Sequence, residues 1–330
     1  RRQYAVLVIP ERSRMKATNC FLKTFLGIII FSACLPAQNG LYENWVRHYA
    51  GPFSVESAED ITVDPYGNVY MASQSFDTTT YLDYAVIKYD SDGNLQWVRR
   101  YSSPGLNPDR ANAIVVDRQG NVYVTGSSAS DYLTIKYNSG GVQQWLAFYN
   151  GPGDKGDIAK DIVVDDSGYV YVTGTAVIAN QPYSNRFATI KYDSSGIEQW
   201  VSIQSINAPG DAEMVSVDSS GNIYVSGKFM PDTLDEDYLT IKYDSNGIEQ
   251  WTASYNRIGN SLETATDMAI DDSANVYVTG YSMAGHSDID YATVKYNSEG
   301  VKNGPLFIAA RGQMWIMHLV SHWINPEMFT

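Results

Sequence analysis

The sequence predicts an all-β protein, a β-propeller of four-stranded antiparallel blades with five full repeats and a truncated sixth. Three observations predict it. A module of about fifty residues recurs five times between residues 42 and 300. Inside each copy, β-branched and aromatic residues alternate with period two between clusters of turn residues. No stretch of 39–300 carries the 3.6-residue apolar period of a helix. A module this small cannot bury its own apolar faces, so neighbours must stack and share a core.

The second copy shows the elements in order. Ile114-Val115-Val116 is a strand, Asp117-Arg118-Gln119-Gly120-Asn121 a tight turn, and Val122-Tyr123-Val124-Thr125 the returning strand. Asp, Gly and Asn are the residues such turns select. In the fifth copy Ala274 stands at the turn Gly, so that turn is expected to differ. Tyr132-Leu133-Thr134-Ile135-Lys136-Tyr137 alternates as a third strand. Asn138-Ser139-Gly140-Gly141 turns the chain, and Val142-Gln143-Gln144-Trp145 begins a fourth strand.

Four kinds of residue recur. The turn Asp falls at Asp64, Asp117, Asp165, Asp218 and Asp271. The third-strand Lys falls at Lys88, Lys136, Lys191, Lys242 and Lys295, always followed by Tyr. The second-strand Tyr falls at Tyr70, Tyr123, Tyr171, Tyr224 and Tyr277. Trp closes the copy at Trp97, Trp145, Trp200 and Trp251, with Trp45 as a leading copy. An active site is normally built once, so residues present in every repeat are expected to serve the scaffold. A mid-strand ammonium is costly to bury alone. The Lys is therefore expected to pair with Asp or to donate to carbonyls of the neighbouring blade. The Trp rings suit packing between blades.

Charge narrows the partners. Eight of the 23 Lys/Arg and two of the 37 Asp/Glu lie outside 38–300, which leaves that body a net charge of −20. Such a body repels nucleic acid and anionic membrane, and no basic footprint is present. Both cysteines, Cys20 and Cys34, precede the repeats, so disulfides cannot hold the body together.

The two ends differ in kind from the middle. Residues 15–37 read as a signal peptide: Lys16 and Lys23, an apolar stretch from Phe25 to Leu35, and a small-residue exit at Ala37. Residues 1–14 read as upstream translation. Phe31-Ser32-Ala33-Cys34 also resembles a lipoprotein box, which makes Cys34 a lipidation candidate and a lipid anchor the one expected membrane contact. After Gly300 the repeat demands Trp about four residues on, and the chain lacks it. Read from the third base of the Lys302 codon, permitted codons spell a sixth copy through Gly-Asn-Val-Tyr. Residues 301–330 are accordingly expected to be frameshifted and non-native, the alternative being an amphipathic helix over 306–323.

Catalytic motifs are scarce. The body has only His48 and His286, no Cys, no Gly-x-Ser-x-Gly elbow and no phosphate-binding glycine loop. Asp90, Asp92 and Asn94 place oxygen ligands at alternate positions, as calcium loops do, but the bidentate acid further on is missing. Calcium is thus the one possible cofactor. Function on a repeated scaffold usually lies in its variable loops. The longer, more aromatic set spans 72–82, 127–130, 175–187, 228–236 and 281–289 and carries Phe76, Tyr81, Tyr183, Phe187, Phe229, Met230 and Met283. These are the candidate binding residues for a protein or glycan.

The motifs Gly-Asn-Val-Tyr-Val-Thr-Gly and Asp-Tyr-x-Thr-Ile-Lys-Tyr-Asp/Asn-Ser-x-Gly resemble the SBBP repeat, a bacterial β-propeller repeat whose name refers to seven blades. The resemblance covers about 42–300 and implies a propeller in an exported or surface protein, with no defined activity. Five copies and a cryptic sixth depart from seven blades. The expected function is a monomeric, non-catalytic binding scaffold outside the cell or on its surface. The alternatives are a propeller enzyme, because Tyr-Asp-Ser-x-Gly-x-x-Gln-Trp is faintly similar to the Trp-docking motif of quinoproteins and propeller lyases exist, and a structural segment of a larger surface protein.

Overall fold

A computed structural model describes residues 45–49, 56–105, 107–154, 156–179, 184–232, 235–257, 261–284 and 288–308. The chain divides into two units, 1–49 and 50–330. In the first, residues 45–49 have no regular structure, and the Arg47 guanidinium lies 5.8 Å from the Trp45 ring centroid. The signal segment, Cys34 and residues 309–330 fall outside the described residues.

The second unit is all β. Blade 1 is β1 (Glu56–Val63), β2 (Val69–Asp77), β3 (Tyr81–Tyr89) and β4 (Leu95–Tyr101). Blade 2 is β5 (Asp109–Val116), β6 (Val122–Ser128), β7 (Asp131–Tyr137) and β8 (Gln143–Tyr149). Blade 3 is β9 (Ile158–Val164), β10 (Val170–Val177), β11 (Asn185–Tyr192) and β12 (Glu198–Ile203). Blade 4 is β13 (Gly210–Val217), β14 (Ile223–Asp232), β15 (Asp235–Tyr243) and β16 (Glu249–Tyr255). Blade 5 is β17 (Ser261–Ile270), β18 (Val276–Ala284), β19 (Asp288–Tyr296) and β20 (Lys302–Ile308). Every blade is an antiparallel meander, and one parallel bridge, Glu236 to Leu262, joins blades 4 and 5. Residues 302–308 thus form a fourth strand, with Gly304 where the repeat carries Trp.

Register is the same in each blade because the same side chains fix it. The Lys-Tyr step of the third strand carries a bulge opposite the fourth, as at Lys88/Tyr89 and Lys136/Tyr137. The first strand carries another, as at Ala58/Asp60 and Ala159/Asp161, which turns it at the blade edge. The first strands of successive blades touch one another, so they form the inner edge of the array.

The core lies between blades. One cluster joins Tyr70, Tyr84, Val86 and Trp97 of blade 1 to Ile114, Val124, Leu133 and Tyr137 of blade 2. Three more clusters repeat this at the next interfaces. The contrast at blade 1 shows what a neighbour contributes. Ile61 of β1 is 43% exposed, whereas its equivalents Ile114, Ile162 and Val215 are 5%, 5% and 7% exposed; Val63 is exposed where Val116, Val164 and Val217 are half-buried. Among the described residues no blade covers that face of β1.

The loops expected after the Val-Thr-Gly strand are shorter than read. Phe76, Phe187, Phe229, Met230 and Met283 all lie within strands, because alternation continues past the glycine and the hairpins extend. The turn at Ala274 does not differ either. Ala274 adopts φ +58° and donates its N–H to the Asp271 carbonyl at 2.9 Å, the same turn that glycine makes elsewhere.

Candidate functional site

Each blade has two ends of different character. One end holds the β1–β2 and β3–β4 turns and their equivalents. The other holds the β2–β3 connections and the start of each first strand.

At the turn end the recurring polar residues are consumed by the scaffold. Asp64 Oδ1 accepts the N–H groups of Tyr66 and Asn68, both at 2.9 Å. Its Oδ2 accepts Asn68 Nδ2 at 2.7 Å and the Tyr70 hydroxyl at 3.0 Å. Asp117, Asp218 and Asp271 repeat the set; at Asp165 Tyr169 replaces the Asn, and Tyr171 still donates at 3.0 Å. Burial raises the carboxyls of Asp64, Asp218 and Asp271, but the hydrogen bonds outweigh it and leave all three below the ordinary Asp value.

Lys and Trp do not pair with that Asp. Lys88 Nζ and Trp97 Nε1 both donate to the Ser139 carbonyl of the next blade, at 3.3 and 3.2 Å. Lys136 and Trp145 share Ser194, Lys191 and Trp200 share Ser245, and Lys242 and Trp251 share Ser298, all within 3.0–3.2 Å. Each ammonium also stands over the Tyr of its own second strand, 5.0 Å from the centroid for Lys88 over Tyr70. Lys295 keeps that contact with Tyr277 at 4.9 Å. Each Trp ring lies flat on the turn glycine of the next blade: a Cβ on Gly196 would stand 2.6 Å from Trp145 Cδ2.

The calcium candidate is a turn of the same kind. Asp90 Oδ1 accepts the N–H groups of Asp92 and Asn94 at 3.0 and 2.8 Å, and Oδ2 accepts Asn94 Nδ2 and Gln96 Nε2 at 3.0 and 2.9 Å. With four donors on one carboxylate and the Asn94 amide turned inward, Asp90 and Asn94 close a hairpin as the other turns do.

The other end varies from blade to blade. Phe76 and Tyr81 meet edge to face at 5.6 Å. Tyr81 is 47% exposed at φ +78°, a left-handed conformation that a bulky side chain rarely adopts. Met230 and Met283 are half-buried. Phe187 and Phe229 are buried in the core between blades 3 and 4, so they are packing residues and not a contact surface. Gln204 holds the Phe187 backbone from both sides, its amide oxygen accepting N–H and its own N–H donating to the carbonyl. Tyr183 lies outside the described residues.

Sequence reading missed the acids at this end. The third strand of one blade and the first strand of the next bring carboxylates together: Asp83 with Asp109, Asp131 with Asp157, and Asp237 with Glu263. In the last group one oxygen from each of Asp235, Asp237 and Glu263 lies within 4.8 Å of the others. Burial, then the neighbouring acid, raises the Asp131 carboxyl; burial also raises Asp83. The third interface departs from this pattern. Arg186 replaces the strand Asp and Gly210 the facing acid, while Phe187 and Gln204 replace the Tyr-Tyr contact seen for Tyr132 and Tyr149 at 5.3 Å. The signal was present as the Asp-Tyr steps Asp83-Tyr84, Asp131-Tyr132 and Asp237-Tyr238 of the third strands, legible only as motif text.

Along the inner edge, Asp60 and Asp161 staple blades together. Asp60 Oδ2 accepts the Ile114 N–H and Asp161 Oδ2 the Val215 N–H, each at 2.8 Å. Asp161 is pushed up to about 7, chiefly by burial, against the hydrogen bonds of Val215 and Ile162 and with the charges of Asp60 and Asp267.

A family model for the beta-propeller repeat SBBP matches residues 96–132, from β4 across β5 and β6 to the start of β7. The chain carries the SBBP beta-propeller repeat. Among curated proteins none matches the chain. A solved protein of unknown function from Dyadobacter fermentans is similar at 10% identity over 78% of this chain and 83% of that one, with a TM-score of 0.52. A protein from Lactobacillus plantarum is similar at 11% identity over 76% and 70%, with a TM-score of 0.51. A family PL25 ulvan lyase bound to a GlcA–Rha3S saccharide aligns at 11% identity over 74% and 69%, with a TM-score of 0.48. At these identities the first two likenesses show the fold alone. Trp97, Asp117 and Tyr123 of the recurring set fall within the matched residues.

Proposed function

We propose that this SBBP-repeat protein is an exported, monomeric binding scaffold that presents the variable ends of its blades to a protein or glycan and has no catalytic centre of its own. One observation carries the reading. Tyr81 is a large, exposed aromatic held at positive φ beside Phe76, on the end of the blade that does not repeat. Strain kept in an exposed side chain points to use of that side chain. Exposed aromatic rings with polar rims suit both sugar faces and protein anchors. The body's acidity favours neutral or basic partners over nucleic acid.

The test is capture on a glycan array and from the growth medium with the full chain as bait. Tyr81→Ala should weaken the recovered interaction at least about tenfold without changing the melting temperature by more than a degree or two. Undiminished binding in Tyr81→Ala and Tyr183→Ala would remove the loop-end assignment. Release of new reducing ends from polysaccharide by the purified protein would remove the non-catalytic one. Export is read from the mature N-terminus: Gln38, or a lipidated Cys34, supports it, and an uncleaved cytoplasmic chain counts against it.

A further inference from the structure

We propose that a hard divalent cation of the calcium class sits between the first two blades, held by the oxygens of Asp83, Ser103, Asp109 and Ser128. Asp109 is fully buried; its Oδ2 accepts the Ser103 N–H at 2.6 Å, and its Oδ1 has no hydrogen-bond partner. Ser128 stands directly opposite Asp109 in the β5–β6 ladder, so the two side chains project from the same face. Ser128 is also fully buried, and its Oγ bonds neither Asp109 nor Asp83. The Ser103 Oγ is in the same condition. From blade 1, Asp83 Oδ2 accepts the Thr80 hydroxyl at 2.9 Å and lies 3.7 Å from Arg100, the Ser102 hydroxyl stands beside the carboxylate, and Oδ1 is buried.

Two carboxylate oxygens and two hydroxyls therefore lie buried in one neighbourhood, and none bonds another. Hydroxyls beside carboxylates donate to them whenever they are within reach, because a buried polar atom left bare is costly. A cation would give these oxygens the partner that none of them supplies to another.

The repeat explains the gap. At the position of Asp109, blades 1 and 5 carry Glu56 and Glu263, which reach Ser75 and Ser282 at 2.9 and 2.7 Å. Asp109 is one methylene shorter and turns to the Ser103 backbone instead. Ser128 is left without the contact that Ser75 and Ser282 make. The Tyr101 phenol is the polar group within reach of Ser128. Charge selects a cation over water. Asp83 and Asp109 face each other with Arg100 as the one basic group paired to either among the described residues. All the ligating atoms are oxygens, the donor set of calcium.

The experiment uses the full chain stripped with EDTA and then titrated with calcium, magnesium or water alone, followed by thermal unfolding and calorimetric binding. Saturating calcium should raise the melting temperature by about 5 °C, and magnesium by less, since it demands a stricter octahedron. Asp109→Asn should abolish the calcium shift, and it should melt in EDTA no lower than the parent, because it relieves a facing charge. Ser128→Ala removes one ligand without touching a charge and should weaken calcium binding roughly tenfold, which keeps the idea testable should Asp109→Asn fold poorly. No calcium shift in the parent would mean that water or a proton fills the gap, and would overturn the proposal. A shift that survives both Asp109→Asn and Ser128→Ala but is lost in Asp237→Asn would place the ion at Asp235, Asp237 and Glu263 instead, and would overturn it equally.

Discussion

The two ends of a blade obey different rules. At the turn end, Asp64, Lys88, Trp97 and their equivalents make the same bonds in blade after blade, to their own turn or to one seryl carbonyl of the next blade. At the other end the third interface replaces carboxylates with Arg186 and Gly210, and blade 1 exposes a strained Tyr81. Repetition marks the residues that position neighbours, and departure from it marks where selection is free to act. The contrast is sharpest because both ends lie on the same strands, one hairpin length apart.

The largest effect should come from breaking the turn end. Gly196→Ala would place a methyl into the Trp145 ring at a backbone angle of +81° and should cost about 2–5 kcal/mol, read by urea unfolding. Asp218→Ala removes four acceptor contacts, from the N–H groups of Ser220 and Asn222, the Asn222 amide and the Tyr224 hydroxyl, and should cost about 2–3 kcal/mol. A matching change at the variable end, Asp77→Ala, should stay within about 0.5 kcal/mol, because its bonds to Thr79 are solvent-exposed.

Smaller changes sharpen the comparison from the opposite direction. Ala274→Gly should stabilise the protein by about 0.5–1 kcal/mol, since it removes a side chain from a left-handed turn that the other blades fill with glycine. Tyr81→Gly should stabilise by a similar amount while weakening partner binding; a loss of stability would mean that the Phe76 contact outweighs the strain.

The effect of pH acts on several blades at once. Asp64, Asp218 and Asp271 sit below the ordinary Asp value when folded, so their contribution is present above about pH 4 and is lost as pH falls through their folded values. Asp161 has the opposite sign. Raised to about 7 by burial, it favours folding most below the unfolded Asp value, and that contribution fades as pH climbs from about 4 to about 7. Melting curves of the parent and Asp161→Asn should differ in slope across that window and run parallel above it. Parallel curves throughout would show that Asp161 is ionised in the folded chain.

Much of this was legible in the sequence. The four strands per repeat follow from period-two alternation and from Asp-x-x-Gly-Asn turns, both of which are local. Other features were hidden because they depend on which residues face each other across blades. Lys88 was readable as a scaffold residue, but only the register shows that it donates to Ser139 and not to Asp64. Phe187 and Phe229 looked like loop aromatics, but both are buried between blades 3 and 4, where Gly210 leaves room for the Phe187 ring: a Cβ there would stand 2.9 Å from it. The acid pairs Asp83–Asp109 and Asp237–Glu263 lie one blade apart in the chain and are invisible to local pattern.

By itself, then, the sequence determined the blade: its length, its four strands, its turns, and the Asp, Lys, Tyr and Trp that every copy repeats. Alternation and turn chemistry are properties of adjacent residues, so they can be read without knowing the fold. Only the tertiary structure decided what those residues do. It gave one carbonyl two donors at each interface, buried two aromatics taken for surface, left Ile61 and Val63 uncovered, and set Asp109 a methylene short of Ser128. The physical reason is that a blade buries its faces only against another blade, so burial, and the charge and hydrogen-bond balance that goes with it, belongs to the interface and not to the repeat.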